Sequence, residues 1–202
     1  MGVTVLYGGA FDPPHAGHVA VADAARHRFG VDRLIVLVSE RPAHRGVHAS
    51  AADRLALARA AFPHDDVRLD PHPRTVELLR DEDFDEPVFV VGADEFRAFL
   101  GWAEPDEVLE RTQLAVATRP GFPQTELDTV LAQLGRPDRV LFFEIEPNPM
   151  ASTDLRSRTA AGEPLDGLVP APVARVIEER GLYRSGRGDT LGATAPEDPS
   201  RP

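Results

Sequence analysis

The sequence lacks cysteine, lysine and any long apolar run. Without cysteine, the chain can form no disulfide framework and can offer no thiolate for catalysis or metal binding. No apolar run approaches the roughly 20 residues that are needed to span a bilayer, and the N-terminus resembles a strand more than a basic signal segment. These absences lead us to expect a cytoplasmic protein.

All 22 basic residues are arginine, against 33 acidic residues, so the formal net charge is −11. This balance argues against a nucleic-acid partner, because a large phosphate footprint needs clustered positive side chains. With 202 residues, 42% of them hydrophobic, the chain can bury a core, and we predict a single α/β domain over residues 1–184. Residues 185–202 are rich in Gly, Pro, Ser and charge without apolar periodicity, which predicts a disordered tail.

Apolar runs alternate with helical patterns along the chain. The predicted strands are Val3 to Tyr7, Arg33 to Ser39, Val67 to Leu69, Pro87 to Val91, Leu114 to Thr118 and Val140 to Phe143. The predicted helices are Ala16 to Phe29, Ala51 to Ala61, Thr75 to Arg80, Asp94 to Phe99, Asp106 to Arg111, Glu126 to Leu134, Thr153 to Ala160 and Pro172 to Arg180. This alternation predicts a doubly wound parallel sheet with right-handed crossovers and a ligand at the carboxyl ends of its strands.

The most informative segment is GGAFDPPHAGH, residues 8–18, which follows the first predicted strand directly. Gly8 and Gly9 are expected to turn the chain at this point. Asp12 followed by Pro13 suits a helix N-cap with proline in the first turn. A glycine-led turn that leaves a strand and opens a helix is typical of a phosphate site.

His15 and His18 share one face of the first turn of that helix. Backbone N–H groups and the positive end of the helix dipole converge there and favour an anion, to which two imidazoles can donate hydrogen bonds. Gly17 carries no side chain, which is expected to let a ligand lie against the helix. A zinc site would need further histidine or carboxylate ligands, so we predict no protein-held metal.

Taken whole, residues 8–18 resemble the G-G-T-F-D-P-x-H-x-G-H element of bacterial nicotinate mononucleotide adenylyltransferases, with Ala10 in place of the usual Thr. These enzymes belong to the nucleotidyltransferase superfamily that is named for its H-x-G-H sequence, so the resemblance implies a Rossmann-like nucleotidyltransferase fold. It also implies transfer of the adenylyl group of ATP to nicotinate mononucleotide, which yields nicotinate adenine dinucleotide and pyrophosphate in NAD biosynthesis. The implied partners are these two substrates, with Mg²⁺ bound through the ATP phosphates, and a homo-oligomer is left open.

The loop after the second predicted strand, Ser39 to Arg45, carries two arginines and a histidine. From spacing alone, a solvated basic loop is favoured. The segment is similar to the family's P-P-H-K loop, however, with Ala43 for the second Pro and Arg45 for Lys. The resemblance implies that Arg45 holds the phosphate of nicotinate mononucleotide, which a guanidinium can bind through two parallel N–H donors.

Near the fourth predicted strand, Gly92 and Asp94 end an apolar run, and the only tryptophan, Trp102, follows. A carboxylate at the carboxyl end of a strand can accept hydrogen bonds from ribose hydroxyls, and an aromatic face can stack on a flat ring. Taken alone, Asp94 is more often a helix cap and Trp102 more often a core residue. The family carries a similar G-A-D and a downstream W, which implies that Asp94 contacts the nucleotide and that Trp102 stacks on the pyridine ring.

Residues 150–156 resemble the family's I-S-S-T-x-I-R, with Ala151 in place of one serine. Ser152 or Thr153 is expected to cap a helix whose N-terminus faces the triphosphate, with Arg156 as a further donor. A plain capping box accounts for all of this segment except Arg156. Arg119 lies in an R-P-G sequence that the family shares, which implies that it closes over ATP.

The weakest match lies between Asp70 and Leu79, where family members show S-Y-T-x-D-T-L. Thr75 is kept, but Arg74 stands where Tyr is usual. In the family this loop helps to read the pyridine group, so the choice between the nicotinate and nicotinamide forms is left open. Arg74 adds positive charge to the site if it points inward and is irrelevant if it is exposed.

The resemblance therefore implies catalytic roles for His15, His18 and Arg156. The implied ATP-binding residues are Gly8, Gly9, Ala10, Phe11, His15, His18, Gly92, Asp94, Arg119, Ser152, Thr153 and Arg156. The implied mononucleotide-binding residues are Arg45, Arg74, Thr75 and Trp102.

Two other functions stay open at this point. A sister transferase that uses nicotinamide mononucleotide, phosphopantetheine or glycerol phosphate would share His15 and His18. Phosphopantetheine or glycerol phosphate as acceptor would not require Arg45 followed by Trp102. The other function is that of a nucleotide-binding protein without catalysis, which is suggested by the departures at Ala10, Ala43, Arg74 and Ala151.

Overall fold

The computed structural model describes residues 2–42, 46–146 and 150–184. Six strands form one sheet in which every neighbouring pair is parallel. The strands are β1 (Val3–Gly9), β2 (Val31–Ser39), β3 (Asp66–Asp70), β4 (Val88–Gly92), β5 (Gln113–Thr118) and β6 (Val140–Glu144). Their order in the sheet is β3-β2-β1-β4-β5-β6, which confirms the doubly wound parallel sheet.

Helices connect the strands and follow the last one. They are α1 (Ala16–Phe29), α2 (Ala51–Ala61), α3 (Thr75–Asp81), α4 (Ala93–Arg97), α5 (Pro105–Arg111), α6 (Gln124–Leu131), α7 (Ser152–Ala160) and α8 (Ala171–Arg180). Each predicted strand and helix is present, and most ends differ by one or two residues. No helix in the described ranges is long and apolar enough to cross a membrane, and the cytoplasmic location stays a prediction.

Two predicted helices end earlier than expected. The one predicted to reach Phe99 ends as α4 at Arg97 and continues as a short 3₁₀ turn, Phe99–Gly101, that buries the Phe99 ring. The one predicted to reach Leu134 ends at Leu131, because the last turn tightens so that the N–H of Leu134 donates to the carbonyl of Leu131. The predicted tail, residues 185–202, lies outside the described residues.

Two hydrophobic layers cover the sheet. One contains residues of α1, α2, α7 and α8, and the other contains residues of α3 to α6. Successive residues of β1 enter opposite layers, with Val5 and Tyr7 on one side and Leu6 on the other. Because both faces are buried, each strand is a nearly continuous apolar run, which is why the strands are recognisable in the sequence.

The predicted ligand site lies where the strand order reverses, between β1 and β4. Strand β1 pairs with β2 on one side and with β4 on the other, and the helices that follow β1 and β4 lie on opposite faces. A crevice therefore opens at the carboxyl ends of these two strands. Residues 8–18 and residues 92–94 both lie there.

Gly8 and Gly9 do not turn the chain, contrary to our prediction, because both are the last residues of β1. Glycine is needed at both positions because a side chain would crowd a neighbouring aromatic ring. A Cβ at Gly8 would lie 3.1 Å from the Phe89 ring, and one at Gly9 would lie 3.1 Å from the Phe11 ring. The turn is made by the next residues, where Phe11 adopts a left-handed conformation with φ 52.

Arg54 on α2 ties these strand ends together, although its side chain is buried and only 1% of the residue is exposed. Its guanidinium donates to four backbone carbonyls, which belong to Ala10, Ser39, Glu40 and Ala49, over 2.6 to 3.3 Å. One side chain thus joins the segment after β1 to both ends of the segment between β2 and α2. Burial lowers the pKa of this guanidinium, which remains charged because an arginine pKa begins far above neutrality.

Replacing Arg54 by methionine should lower the free energy of unfolding by at least about 3 kcal/mol, because several buried carbonyls lose their donor at once. Replacing it by lysine keeps the charge but not the fork of donors, so an intermediate loss is expected. Urea denaturation of the three proteins measures both losses. A methionine variant within about 0.5 kcal/mol of the parent would contradict this role.

Candidate active site

Two histidines cap the N-terminus of α1. His15 is the N-cap residue, and its Nδ1 accepts a hydrogen bond of 3.1 Å from the N–H of Gly17. In return, the Nδ1 of His18 accepts a hydrogen bond of 3.1 Å from the N–H of His15. The arrangement is a capping box built from imidazoles. The prediction that Asp12 caps this helix is therefore wrong.

These hydrogen bonds determine which ring nitrogen carries the proton. Because each Nδ1 accepts a bond, the neutral form of each ring carries its proton on Nε2, an assignment that follows from the hydrogen-bond network. Burial lowers the pKa of His15 to about 4, so this ring is neutral at physiological pH. The centroids of the two rings are 3.9 Å apart. The site therefore presents two adjacent imidazoles, each with an N–H at Nε2.

The first amides of α1 are already engaged within the protein. The N–H of Ala16 donates to the carbonyl of Leu168 over 3.0 Å, and the N–H of His18 donates to the carbonyl of His15 over 2.9 Å. The expectation that these amides serve an anion is therefore wrong. Gly17 is buried on the face of the helix that packs on the sheet, so the ligand was also wrongly expected to lie against it.

Asp12 has a buried carboxylate, with only 4% of the residue exposed. One oxygen accepts from the N–H of Ala49 over 3.1 Å and from the phenol of Tyr183 over 2.8 Å. The other accepts from the N–H of His48 over 2.7 Å. Sequence analysis missed these contacts, because the partners lie far from Asp12 in the chain and an Asp-Pro pair looks like a local cap.

Helix α7 brings the predicted residues Ser152, Thr153 and Arg156 to the turn at residues 12–18. Arg156 donates from Nη1 to the carbonyl of Asp12 over 2.7 Å and from Nη2 to the Oγ1 of Thr153 over 3.1 Å. The hydroxyl of Ser152 donates to the carbonyl of Pro13 over 2.9 Å. Residues that are more than a hundred positions apart in the chain are thereby assembled around residues 12–18.

The predicted cap of α7 is also corrected. The N-cap residue is Ala151, whose N–H donates to the Asp154 carboxylate over 3.2 Å. The hydroxyl proton of Ser152 is used by the turn, so Ser152 holds the site together and cannot donate that proton to a phosphate. Among the described residues, the Thr153 hydroxyl accepts from Arg156, and its own proton can still be donated to a ligand.

Phe11 packs its ring against the ring of His18 on the side of the hydrophobic core. Its ring is buried and lies 5.3 Å from the His18 ring and 5.6 Å from the Tyr7 ring. A contact of Phe11 with ATP can therefore involve only its backbone. Ala10 is partly exposed, and its carbonyl accepts from Arg54 over 3.1 Å.

The predicted ribose and pyridine residues lie on the opposite face of the sheet. Trp102 is half-buried, with its ring 5.2 Å from Phe99 and 6.3 Å from Phe89. Since Phe89 also packs against Gly8, the tryptophan lies close to the reversal point. A Cβ at Gly92 would meet nothing within 4 Å, so this strand end faces open space that a ligand can fill.

Asp94 and Arg119 line one open pocket of about 270 Å³, together with Arg97 and Glu126. The Asp94 side chain is 70% exposed, and its carboxylate lies 3.8 Å from the Arg97 guanidinium. Exposed carboxylate and guanidinium groups on one wall suit ribose hydroxyls and phosphate oxygens. The structure thus brings together two residues that were predicted to bind ATP.

Arg74 and Thr75 lie at the start of α3, where Arg74 is the N-cap residue and Thr75 the first helical one. The Arg74 side chain is 62% exposed and 3.9 Å from the Glu77 carboxylate. Arg74 is therefore exposed. This favours the alternative in which Arg74 plays no part in binding the pyridine group over the one in which it points into the site. Arg45 lies outside the described residues, and its role stays a prediction.

No three histidine, aspartate or glutamate side chains in the described ranges converge in a way that could hold a metal ion. The buried carboxylate of Asp12, in the same turn as the histidines, already accepts three hydrogen bonds. A magnesium ion that arrives on the phosphates of ATP stays a prediction.

Comparison with known proteins agrees with this geometry. The model of the cytidylyltransferase-like family matches residues 6–158. The chain is 39% identical over 95% of its length to a probable nicotinate-nucleotide adenylyltransferase of Symbiobacterium thermophilum, of which it covers 99%. It is 34% identical over 96% of its length to the corresponding protein of Rubrobacter xylanophilus, of which it covers 98%. The chain belongs to the nicotinate-nucleotide adenylyltransferase family.

Solved structures of this family share the fold. A nicotinic acid mononucleotide adenylyltransferase of Plasmodium falciparum, complexed with NaAD, aligns with a TM-score of 0.69 at 13% identity and covers 91% of this chain and 98% of its own. A putative nicotinate-nucleotide adenylyltransferase of Vibrio parahaemolyticus aligns with a TM-score of 0.60 at 19% identity, covering 92% and 97%. At these identities the likeness confirms the Rossmann-like nucleotidyltransferase fold alone.

The lowered pKa of His15 predicts how the stability of the protein depends on pH. The unfolded chain binds a proton near the ordinary pKa of 6.5, whereas the folded chain binds it only near pH 4. Stability is therefore complete above about pH 6.5 and falls as the pH drops to about 4, by up to about 3 kcal/mol.

His15→Asn isolates this contribution, because an asparagine oxygen can still cap the helix but does not titrate. Urea unfolding of both proteins between pH 7.5 and 4 gives the difference between their free energies of unfolding. This difference should shift in favour of the variant as the pH falls. If the two profiles stay parallel, His15 is not held neutral by burial.

Proposed function

We propose that this protein transfers the adenylyl group of ATP to nicotinate mononucleotide, which yields nicotinate adenine dinucleotide and pyrophosphate. One observation carries the proposal. In a chain of the nicotinate-nucleotide adenylyltransferase family, the imidazoles of His15 and His18 and the guanidinium of Arg156 are assembled around one turn, at the carboxyl edge of the sheet where the strand order reverses.

The proposed reaction needs no protein nucleophile. An oxygen of the 5′-phosphate of nicotinate mononucleotide attacks the α-phosphorus of ATP, and the bond between this phosphorus and the bridging oxygen to the β-phosphate breaks. The electron pair leaves with pyrophosphate. The protein must hold two anions in line and stabilise the charge that develops on the phosphate oxygens.

The two histidines suit that task as donors. We assign the Nε2 proton of His18 to an oxygen of the α-phosphate and that of His15 to the neighbouring part of the triphosphate. Because burial keeps His15 neutral, it contributes a hydrogen bond without adding a full charge. The positive end of the α1 dipole and the guanidinium of Arg156 supply the positive potential.

The other triphosphate contacts come from α7. Arg156 donates to the carbonyl of Asp12 in the turn, and the Thr153 hydroxyl, which accepts from Arg156, can donate to a phosphate oxygen. Ser152 acts by holding Pro13 in place. Magnesium enters as part of the substrate MgATP and neutralises part of the charge of its phosphates.

The opposite half of the crevice suits the nucleoside parts. We assign Asp94 to a ribose, with Arg119 on the same pocket wall, and Trp102 to stacking on the pyridine ring. The empty space at Gly92 lets a ligand pass between the two halves. Arg45 is assigned to the acceptor phosphate on the resemblance alone.

Two departures from the family pattern leave the site intact. Ala10 acts through its carbonyl, and Ala151 acts through its N–H, so neither contact needs a hydroxyl side chain. This argues against a protein that has lost catalysis. The exposed position of Arg74 has a different consequence, because any preference for the carboxylate of the acid form must then come from other donors.

An acceptor screen tests the proposal by measuring pyrophosphate release from MgATP with nicotinate mononucleotide, nicotinamide mononucleotide or phosphopantetheine. We expect kcat/KM to be highest for the nicotinate form, by at least about tenfold over the amide form. Arg74→Ala should leave this ratio unchanged, since the side chain is exposed.

A parent enzyme that prefers the amide form would overturn the named acceptor and leave adenylyl transfer intact. Absence of pyrophosphate release with every acceptor would instead favour a nucleotide-binding protein without catalysis. A changed ratio in Arg74→Ala would return Arg74 to the pyridine site.

A further inference from the structure

We propose that Tyr183 is a positioning residue for the triphosphate site, acting through the carboxylate of Asp12 on the guanidinium of Arg156. The inference rests on the proposed function for the identity of the reaction. It assigns a role in that reaction to the segment that follows α8, on which none of the predicted site residues lies.

Tyr183 reaches the site from the far end of the described chain. Helix α8 ends at Arg180 and is capped by Gly181 in a left-handed conformation. Tyr183 is itself left-handed with φ 59, so the chain folds back over the turn at residues 12–18. Its phenol donates to the Asp12 carboxylate over 2.8 Å. Burial and the nearby charge of Asp12 both raise the pKa of the phenol, which therefore remains a donor throughout the working pH range.

The environment of the Asp12 carboxylate explains why this bond matters. The Nη1 of Arg156 lies 3.9 Å from Oδ2, the carboxylate oxygen that does not bind the phenol, yet it donates to the backbone carbonyl of the same residue over 2.7 Å. The carboxylate is satisfied instead by two amides and by the phenol of Tyr183. Arg156 is thus held beside a negative charge without forming a direct hydrogen bond to it.

Removal of the phenol hydroxyl takes one of two donors from Oδ1 of a buried carboxylate and leaves the N–H of Ala49. Loss of a hydrogen bond to a buried charged group is costly. The buried guanidinium of Arg54 is already committed to four carbonyls. Two side chains lie just beyond hydrogen-bond distance of the Asp12 Oδ2, the imidazole of His48 at 3.6 Å and the guanidinium of Arg156 at 3.9 Å. Of these, only Arg156 also contacts Thr153 at the proposed triphosphate site. We expect it to turn toward Asp12 and away from Thr153 and the triphosphate.

The docking of α8 itself does not depend on this hydroxyl. Val173 and Ile177 are buried in the layer that covers the sheet, and Arg180 donates to the Asp53 carboxylate on α2 over 2.7 Å. Arg180→Ala therefore weakens the attachment of the same helix without touching Asp12. It is a matched control for Tyr183→Phe.

The test measures steady-state kinetics with MgATP and nicotinate mononucleotide, together with calorimetric binding of a non-hydrolysable ATP analogue. Tyr183→Phe should lower kcat/KM for ATP by about tenfold or more and weaken binding of the analogue by several-fold, because Arg156 contacts the ground-state triphosphate. Arg180→Ala should leave both values close to those of the parent. Equal losses in the two variants would mean that Tyr183 only docks α8, which would overturn the proposal.

A double-mutant cycle with Arg156→Ala tests the route of the effect. If Tyr183 acts through Arg156, Tyr183→Phe should cause no further loss of analogue binding once Arg156 is removed. Additive losses would contradict this route. Because analogue binding needs no acceptor, it still decides the role of Tyr183 if nicotinate mononucleotide is not the substrate, an outcome that the parent's own turnover reveals separately.

Discussion

The buried carboxylate of Asp12 is the interaction on which the rest of the site depends. An ionised carboxylate is costly to bury unless its oxygens accept hydrogen bonds, so the fold must bring donors to it from elsewhere. Those donors are two amides that precede α2 and a phenol that follows α8. Two distant segments are thereby fixed against the turn that carries the histidines. The buried guanidinium of Arg54 complements this by supplying donors to the carbonyls of the same region.

The use of histidine as a helix cap has a chemical consequence. A serine or aspartate cap would satisfy the amides of α1 but would offer no ring N–H to a ligand. An imidazole that accepts at Nδ1 still has an N–H at Nε2. His15 and His18 thus close the helix and present donors to a ligand with the same two rings. The helix dipole and Arg156 add positive potential at the same place. This combination suits an anionic substrate whose charge grows on its phosphate oxygens during reaction.

The strands and helices could be predicted because their signals are local. Buried parallel strands are continuous apolar runs, and Gly30 ends α1 as the pattern indicates. The errors arose where the deciding partner is distant in sequence. Gly8 was expected to turn the chain, but the reason for a glycine there is the ring of Phe89 on another strand. Asp12 looked like a local cap, but its partners lie on two other segments, and nothing in the pattern of α2 marks Arg54 as buried.

The most direct test of the account is the kinetic effect of His18→Asn. An asparagine oxygen can take the place of Nδ1 and keep the bond to the N–H of His15, but no group replaces the Nε2 proton. The account predicts that kcat for adenylyl transfer falls by about a hundredfold or more, while ATP binding and the melting temperature change little. Turnover close to that of the parent would contradict the claim that the capping imidazoles stabilise the reacting phosphate.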